Sequence, residues 1–435
     1  MGMRLKSTRL LFGSLVVLAA LTSCGSRDVI LPGERLSLRP GSELQVQNAS
    51  AGIALGAAVS NAEWPQRGGN AAHNMPHLAL SATPTLRYSI DIGRGDTRRA
   101  RLTSEPVVSG GTVFTLDSAS MVRAFGPGGA LLWENELTPI ADKAGDGFGG
   151  GLAISGDRLF ATTGFGEVLA LNAGTGDILW RYDFDASLSA APAVADGRVY
   201  VVSRNESAYA LNFDGGLEWS VQGPIAGAPH TLIGASPAVG GGIVALPFAT
   251  GNVVGTDRSG RSRWSTDVNR GAPSHARSVL GDFTGGPVIV SGRIYISNQN
   301  GQTAAISAQT GAQIWTQPVG AMSQAAVIGG AVFMVTDDAR LVRLDASNGR
   351  ALWAVQLPQW NNPERRRGFI AHFGPVVAGG QVWVAGADGQ LRGFDPQAGT
   401  QTYTAAIPGG AASAPVVAQG VLYVLGRNGT LNAFQ

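Results

Sequence analysis

From residue 106 onward the chain alternates short apolar runs with clusters of Gly, Asp, Asn and Ser. In the first complete unit the runs are PVV, TVFTL, MVRAF and ALLW, separated by SGG, DSAS and GPGG. Runs this short, bounded by turn formers, predict four β-strands joined by tight turns rather than helices. The unit then recurs. Trp133, Trp180, Trp219, Trp264, Trp315 and Trp353 each follow a glycine by four residues (Gly129, Gly176, Gly215, Gly260, Gly311 and Gly349), and Tyr403 stands in the same relation to Gly399. Successive aromatics are 47, 39, 45, 51, 38 and 50 residues apart, a period that marks a repeat architecture.

A second register confirms the unit. Pro106, Pro192, Pro237, Pro287, Pro375 and Pro415 open equivalent runs, with Leu152 and Ala325 in place of Pro in the other two. Eight residues later stand Phe114, Phe160, Tyr200, Ala245, Tyr295, Phe333, Trp383 and Tyr423, all aromatic except Ala245. A four-strand unit at this period fits a propeller blade better than a solenoid turn or a sandwich. The closing Trp of each unit offers apolar area that one isolated sheet cannot bury, so it belongs between neighbouring sheets. The last unit stops at Gln435 after three strands, and Leu86–Ile90 precedes the first unit with Tyr88 where the closing aromatic would fall. The expected fold is therefore an all-β, eight-bladed β-propeller of four-stranded antiparallel blades, its last blade closed by the N-terminal strand.

Composition changes the picture only slightly. Gly 62 suits many turns, and just 14% of residues are charged. The formal charge of +2 includes Arg4, Lys6 and Arg9, without which 29 basic residues face 30 acidic ones. No polyanion-binding balance is present, and no interleaving of basic and aromatic residues suggests nucleic acid.

The N-terminus carries a different signal. Arg4, Lys6 and Arg9 precede the apolar stretch Leu10–Ala20, then Leu21-Thr22-Ser23-Cys24. A run this short reads as a signal peptide, not a stable span. Cys24 is the only cysteine, and it sits where the apolar run ends. The pattern resembles the bacterial lipobox, in which the cysteine is lipidated and becomes N-terminal; Gly25 rather than Asp after it implies the outer membrane. The expected organisation is a signal peptide over 1–23, a lipid-anchored flexible tether over 24–61 with an ordered piece near Gly52–Val59, and the propeller over 62–435.

The eight-fold unit, the Gly-x-x-x-Trp turn, the lipobox and Glu63–His77 (EWPQRGGNAAHNMPH) together resemble the BamB family, lipoproteins of the outer-membrane β-barrel assembly machinery, and more broadly the pyrroloquinoline-quinone-type propeller repeats. The resemblance covers about residues 62–435. It implies a non-enzymatic scaffold that faces the periplasm and binds the periplasmic domains of BamA, with nascent outer-membrane β-barrel proteins as a further class of partner. A generic envelope adaptor, for another envelope partner or for peptidoglycan, is the alternative binding role. The enzymatic alternative is a quinoprotein dehydrogenase. Members of that family commonly carry a disulfide between adjacent cysteines, which a chain with one cysteine cannot form. A calcium site also needs converging oxygens, whereas the first-strand runs PVV, LAI, PAV, PAV, PVI, AAV, PVV and PVV are apolar. No cofactor or metal is expected. His73 and His77 are four apart, but Gly68, Gly69 and Pro76 make a helical pair improbable there, and His230, His275 and His372 lie in separate loops, so packing roles suit all five better than ligation.

Loops between one blade's outer strand and the next blade are long at 134–151, 220–236, 265–286 and 354–374, while turns on the opposite face are minimal. Long loops on a rigid scaffold are where function concentrates. Arginine accumulates there too, notably Arg365, Arg366 and Arg367. The family resemblance places BamA binding on adjacent loops of this face. Its acidic residue five before a blade-opening Pro matches Asp282; the second acid is replaced by Thr284, and the Leu-x-Leu-Arg pattern of the neighbouring loop has no clean counterpart at Thr231-Leu232-Ile233-Gly234. Leu232, Ile233, Asp282 and Phe283 are thus the expected partner-binding residues, with the apolar ones exposed as anchors.

Overall fold

The computed structural model describes residues 43–224, 234–269, 282–299 and 301–435. Eight four-stranded antiparallel sheets form the blades of a propeller, and one further two-stranded hairpin lies between blades 6 and 7. Blade 1 consists of β2 (Val107–Ser109), β3 (Thr112–Leu116), β4 (Met121–Phe125) and β5 (Leu131–Glu136), innermost to outermost. The strand at the other end of the chain logic, β1 (Leu86–Asp91), pairs antiparallel with Thr430–Phe434 and completes blade 8. Closure by the N-terminal strand is therefore as the repeat register requires.

The Gly-x-x-x-Trp motif has a concrete cause. Each closing aromatic pairs across its own blade with a third-strand residue, small in all but blade 6: Ala124 with Trp133, Ala170 with Trp180, Gly255 with Trp264. Its ring then lies against the turn glycine of the following blade. A Cβ at Gly311 would stand 2.7 Å from the Trp264 ring, and at Gly349 2.6 Å from that of Trp315. These glycines also hold φ of +72° and +76°, which L side chains rarely adopt. The indole N–H donates onward to the same neighbour, from Trp133 to the Ala173 carbonyl at 2.9 Å and from Trp264 to Ala308 at 3.0 Å. Within each blade the second-strand aromatic supports the ring, as in Phe114–Trp133 with centroids 5.9 Å apart and Tyr295–Trp315 at 6.0 Å. The chain of contacts closes through the Tyr403 hydroxyl donating to Pro84 and through Ile90 and Tyr88 beneath Gly129.

The centre is built differently. Residues 61–80 cross the central channel at the end where the first and second strands of each blade turn, and they touch the inner edge of every blade. Trp64 bridges Val108 of blade 1, and Gln66 bridges Ala153 of blade 2. The Gln66 side chain both donates to the Val194 carbonyl and accepts from its N–H in blade 3. Val239 and Ile289 donate to the Ala71 and Ala72 carbonyls, and Gln324 donates to that of His73. Leu78 exchanges backbone bonds with Val377 and Gly379 of blade 7, while Asn61 bonds Val417 and Gln419 of blade 8. Trp64 and Leu78 are buried in the core shared by blades 7, 8 and 1. The segment acts as a plug tied to all eight blades: in seven the bonds satisfy inner-strand groups that would otherwise be left unpaired, and in blade 6 the Gln324 side chain, just before the inner strand, makes the tie.

Upstream of the plug, the chain is docked as well. Val46 bridges Ala351, the Arg343 guanidinium donates to the Ala51 and Gly52 carbonyls, and Leu44 is buried against blades 5 and 6. The flexible tether expected over 24–61, with an ordered piece near Gly52–Val59, is docked over the whole of 43–61: this stretch follows blade 6 inward, where Ala51, Ile53 and Leu55 pack against its core. Cys24 and the signal-like segment lie outside the described residues.

Candidate partner-binding face

The connections from each outer strand to the next blade leave the face opposite the plug. The plug nevertheless reaches their roots through one side chain. Arg67 donates from one terminal nitrogen to the Gly234 carbonyl at 3.3 Å and from the other to Thr284 at 3.0 Å, and its Nε faces the Glu105 carboxylate at 3.5 Å. One guanidinium thus ties together three inter-blade connections, between blades 3 and 4, 4 and 5, and 8 and 1. Burial pushes the Glu105 carboxyl above the usual range, against the pull of Arg67. Gly68 and Gly69, with φ of +69° and +83°, form the turn that aims Arg67 along the channel.

Around this brace the residues expected to bind a partner take different places. Leu232 and Ile233 lie outside the described residues. Phe283, expected as an exposed anchor, is corrected to a core residue: it is 3% exposed and packs with Ala235, Trp264, Val268 and Ile296 between blades 4 and 5. The reason is its position just before the blade-opening strand, where the chain already re-enters the wall. Asp282, expected on the surface, is also buried, and its carbonyl accepts from the Gln299 N–H at 3.2 Å. Thr284, where the family pattern has an acid, donates its hydroxyl to the Met322 carbonyl at 2.8 Å.

Sequence reasoning missed Glu206. It sits in the turn between the second and third strands of blade 3 (Arg198–Val202 and Ser207–Asn212) with φ of 60°. Its carboxylate accepts from the Ala249 N–H at 3.1 Å. Burial, with the Asp282 carboxylate adding to it, pushes its pKa up to about 7. Its left-handed backbone and its loop position gave no motif to find it by; only its proximity to Asp282 in the fold reveals it.

The two plug histidines have packing roles, while His230 and His275 lie outside the described residues. His73 is buried, with Nδ1 2.8 Å from the Pro287 carbonyl, and burial lowers its pKa to about 4. A neutral ring therefore donates from Nδ1 across the channel. His77 accepts from the Gly380 N–H through Nε2 at 2.9 Å, so its Nδ1 donates to Gly56 at 3.1 Å.

Above the plug the channel remains open as a cavity of about 430 Å3 that reaches the long-loop face. Trp64, Arg67 and Met75 form its floor, and Met322, Phe369 and Pro375 are among its walls. Of its three lining carboxylates, Glu105, Asp96 and Asp337, the first faces Arg67 and the second is shared by Arg101 and Arg427 at 3.1 Å each. Among the described residues no group of three or more His, Cys, Asp or Glu converges as a metal seat. Nor, among them, is any helix long and apolar enough to cross a membrane.

A family model described as outer membrane protein assembly factor BamB matches residues 118–355 and 358–435. The BamB of Yersinia pestis is 26% identical over 379 residues, covering 83% of this chain and 91% of that protein. The BamB of Burkholderia pseudomallei is 27% identical over 275 residues, covering 57% of this chain and 66% of that protein. Among solved structures, BamB from Moraxella catarrhalis superposes with a TM-score of 0.67 at 20% identity, over 81% of this chain and all 100% of that one. A europium-containing methanol dehydrogenase superposes nearly as well, with a TM-score of 0.65 at 16% identity over 83% of this chain and 89% of that one, a likeness of fold alone. The chain belongs to the family of outer membrane protein assembly factor BamB.

Proposed function

We propose that the chain is a non-enzymatic scaffold lipoprotein of the β-barrel assembly machinery. Cys24 is its lipid attachment site, it faces the periplasm from the outer membrane, and it assists folding and insertion of outer-membrane β-barrel proteins by binding the periplasmic domains of BamA. The observation that carries the binding surface is the Arg67 brace, which fixes the roots of the loops after Gln222 and after Asp267 from below. Loops held at their base and long beyond it suit recognition at low ordering cost. Leu232 and Ile233 are the apolar contacts of this surface, and Asp282 and Phe283 serve it from within, by shaping the second loop's root.

The enzymatic reading finds less support. The chain's own residues 61–80 occupy one end of the channel, and two of the carboxylates lining the cavity above, Glu105 and Asp96, already face arginines, a poor seat for a divalent cation.

The test is co-purification of the full-length lipoprotein from membranes, followed by measured affinity for the periplasmic domains of BamA. Leu232→Glu with Ile233→Glu should lower that affinity at least about tenfold with unchanged melting. A Gln397→Arg control, in a short turn on the other face, should leave it intact. Wild-type affinity in the folded double variant removes this surface from the reading. Cys24→Ala should release the protein from the outer membrane on fractionation.

A further inference from the structure

The cavity mouth has a charge distribution that BamA binding leaves unexplained. Over the whole chain 32 basic residues nearly balance 30 acidic ones, yet two connections beside this cavity carry arginine in clusters. The first, between β1 and β2, is a tight turn closed by the Thr97 N–H to Ala100 at 2.8 Å and by the Thr97 hydroxyl accepting from Ala100 at 2.9 Å. It presents Arg98 and Arg99 outward. The second is the hairpin of strands Trp360–Asn362 and Arg367–Phe369. Its turn is set by the Asn362 side chain accepting from the Arg365 N–H at 2.9 Å, and it presents Arg365, Arg366 and Arg367. All five arginines are exposed, and among the described residues none makes an ion pair. Both connections line the cavity, the first through Arg101 and Leu102 and the second through Phe369 and Ile370. Between them the mouth is apolar: Met322 and Phe369 are 44% and 43% exposed, and the Phe369 ring is held edge-on by Trp360 at 5.6 Å.

Five unpaired guanidinium groups on two ordered loops, around an apolar opening, are complementary to an anionic chain that carries apolar side chains. We propose that this mouth binds an acidic polypeptide segment, with its carboxylates on the two arginine loops and one apolar side chain seated between Met322 and Phe369. The planar guanidinium fork matches carboxylates in two-point contacts, and a cavity of this size takes a side chain or two. A bilayer surface meets a concave mouth poorly, since only the rim would touch it. The segment belongs to a partner rather than to this chain, whose described N-terminal residues dock from the opposite end of the channel. The inference stands apart from BamA binding, because it concerns connections between other blades.

The probe is a fluorescein-labelled twelve-residue peptide of alternating Asp, Glu and Ser with one central Phe, titrated with the full-length lipoprotein in neutral detergent and read by anisotropy. The acidic peptide should bind at least about tenfold tighter than its Asn/Gln counterpart, with affinity falling steeply as salt rises. Arg365→Ser, Arg366→Ser and Arg367→Ser together should weaken it at least about tenfold. Arg98→Ser with Arg99→Ser is the independent second variant, expected to weaken it several-fold, and Phe369→Ser should remove the preference for the central Phe. Equal binding of the acidic and amide peptides would overturn the proposal. So would wild-type affinity in both arginine variants with unchanged melting, or anionic phosphatidylglycerol vesicles that bind the protein and displace the peptide through the same arginines.

Discussion

The outer belt and the central plug hold the same eight blades by opposite means. In the belt, one contact is repeated around the ring: an indole packs on the next blade's turn glycine and donates to that blade's carbonyl. In the plug, a single segment meets all eight blades: inner-strand N–H groups of blades 1, 2, 4 and 5 donate to successive plug carbonyls, while blades 3, 6, 7 and 8 are met by other groups. A repeated contact is redundant, because losing one copy leaves its neighbours in place. A shared segment is not, because no second copy of it exists to take over the ties that residues such as Gln66 and Arg67 make to more than one blade or connection. The belt explains why the propeller closes, and the plug ties together the roots of three inter-blade connections through Arg67.

The most severe test removes the plug while keeping β1. Deleting residues 1–81 should abolish a cooperative melt, whereas deleting 1–42 should leave it nearly unchanged. At single-residue scale, Leu78 is fully buried among Val376, Val417 and Leu422, so Leu78→Ala should cost about 2–5 kcal/mol. Denaturant titration checks this; a loss no larger than that of an exposed Leu131→Ala would show the plug to be a passive filler.

The same contrast explains what could be read from the chain. Blade number, strand order and closure were legible because Gly311 and Trp315 recur in register with Gly349 and Trp353, and periodicity survives in a single sequence. The plug was visible only as the family-like stretch Glu63–His77, with no place in the repeat. Its contacts run between Gln66 and Val194, or Arg67 and Thr284, pairs far apart in sequence and met only once. For the same reason Asp282 and Phe283 read as surface residues from the chain but are buried in the fold, since a loop's last residues look alike whether they point outward or turn in.

Next in size is Arg67. Arg67→Met keeps the stem but removes two charge-assisted hydrogen bonds and the partner of buried Glu105. The expected cost is about 2–3 kcal/mol. The distinguishing readout is hydrogen exchange, which should quicken at 234–237 and 282–287 together. Quickening at one loop alone would mean that the brace acts on only one.

A smaller effect separates packing from backbone strain within the belt. Gly311 and Gly292 have nearly equal φ, +72° and +75°, but a Cβ at Gly311 meets the Trp264 ring while one at Gly292 meets nothing within 4 Å. Gly292→Ala should cost about 1–2 kcal/mol for the left-handed backbone alone. Gly311→Ala should cost about 1–2 kcal/mol more as the indole is displaced. Equal losses would mean that the motif's glycine serves only the turn.

The smallest expected effect is on pH dependence, where plug and loop oppose each other. His73 in the plug has its pKa lowered to about 4, from 6.5 unfolded. Below pH 6.5 the unfolded chain takes up a proton that the folded one refuses, so this group's contribution is complete above 6.5 and is lost as pH falls toward 4. His372, also lowered by burial, acts in the same sense. Glu206, in the turn between the second and third strands of blade 3, is raised to about 7 from 4.5, so the folded state holds a proton that the unfolded chain releases. Its contribution is complete below 4.5 and is lost as pH rises through 7, and Glu105, raised by burial, acts likewise. Between pH 4.5 and 6.5 the two slopes partly cancel. Glu206→Gln should therefore make stability rise more steeply with pH across that window than in the wild type, and His73→Asn should make it fall more steeply. Unfolding free energies at pH 4.5, 5.5 and 6.5 for the three proteins decide the matter. Parallel curves would show that neither group changes its protonation on folding, whereas slopes diverging in opposite directions would assign the acid sensitivity to the plug and the alkaline sensitivity to the blade 3 turn that carries Glu206.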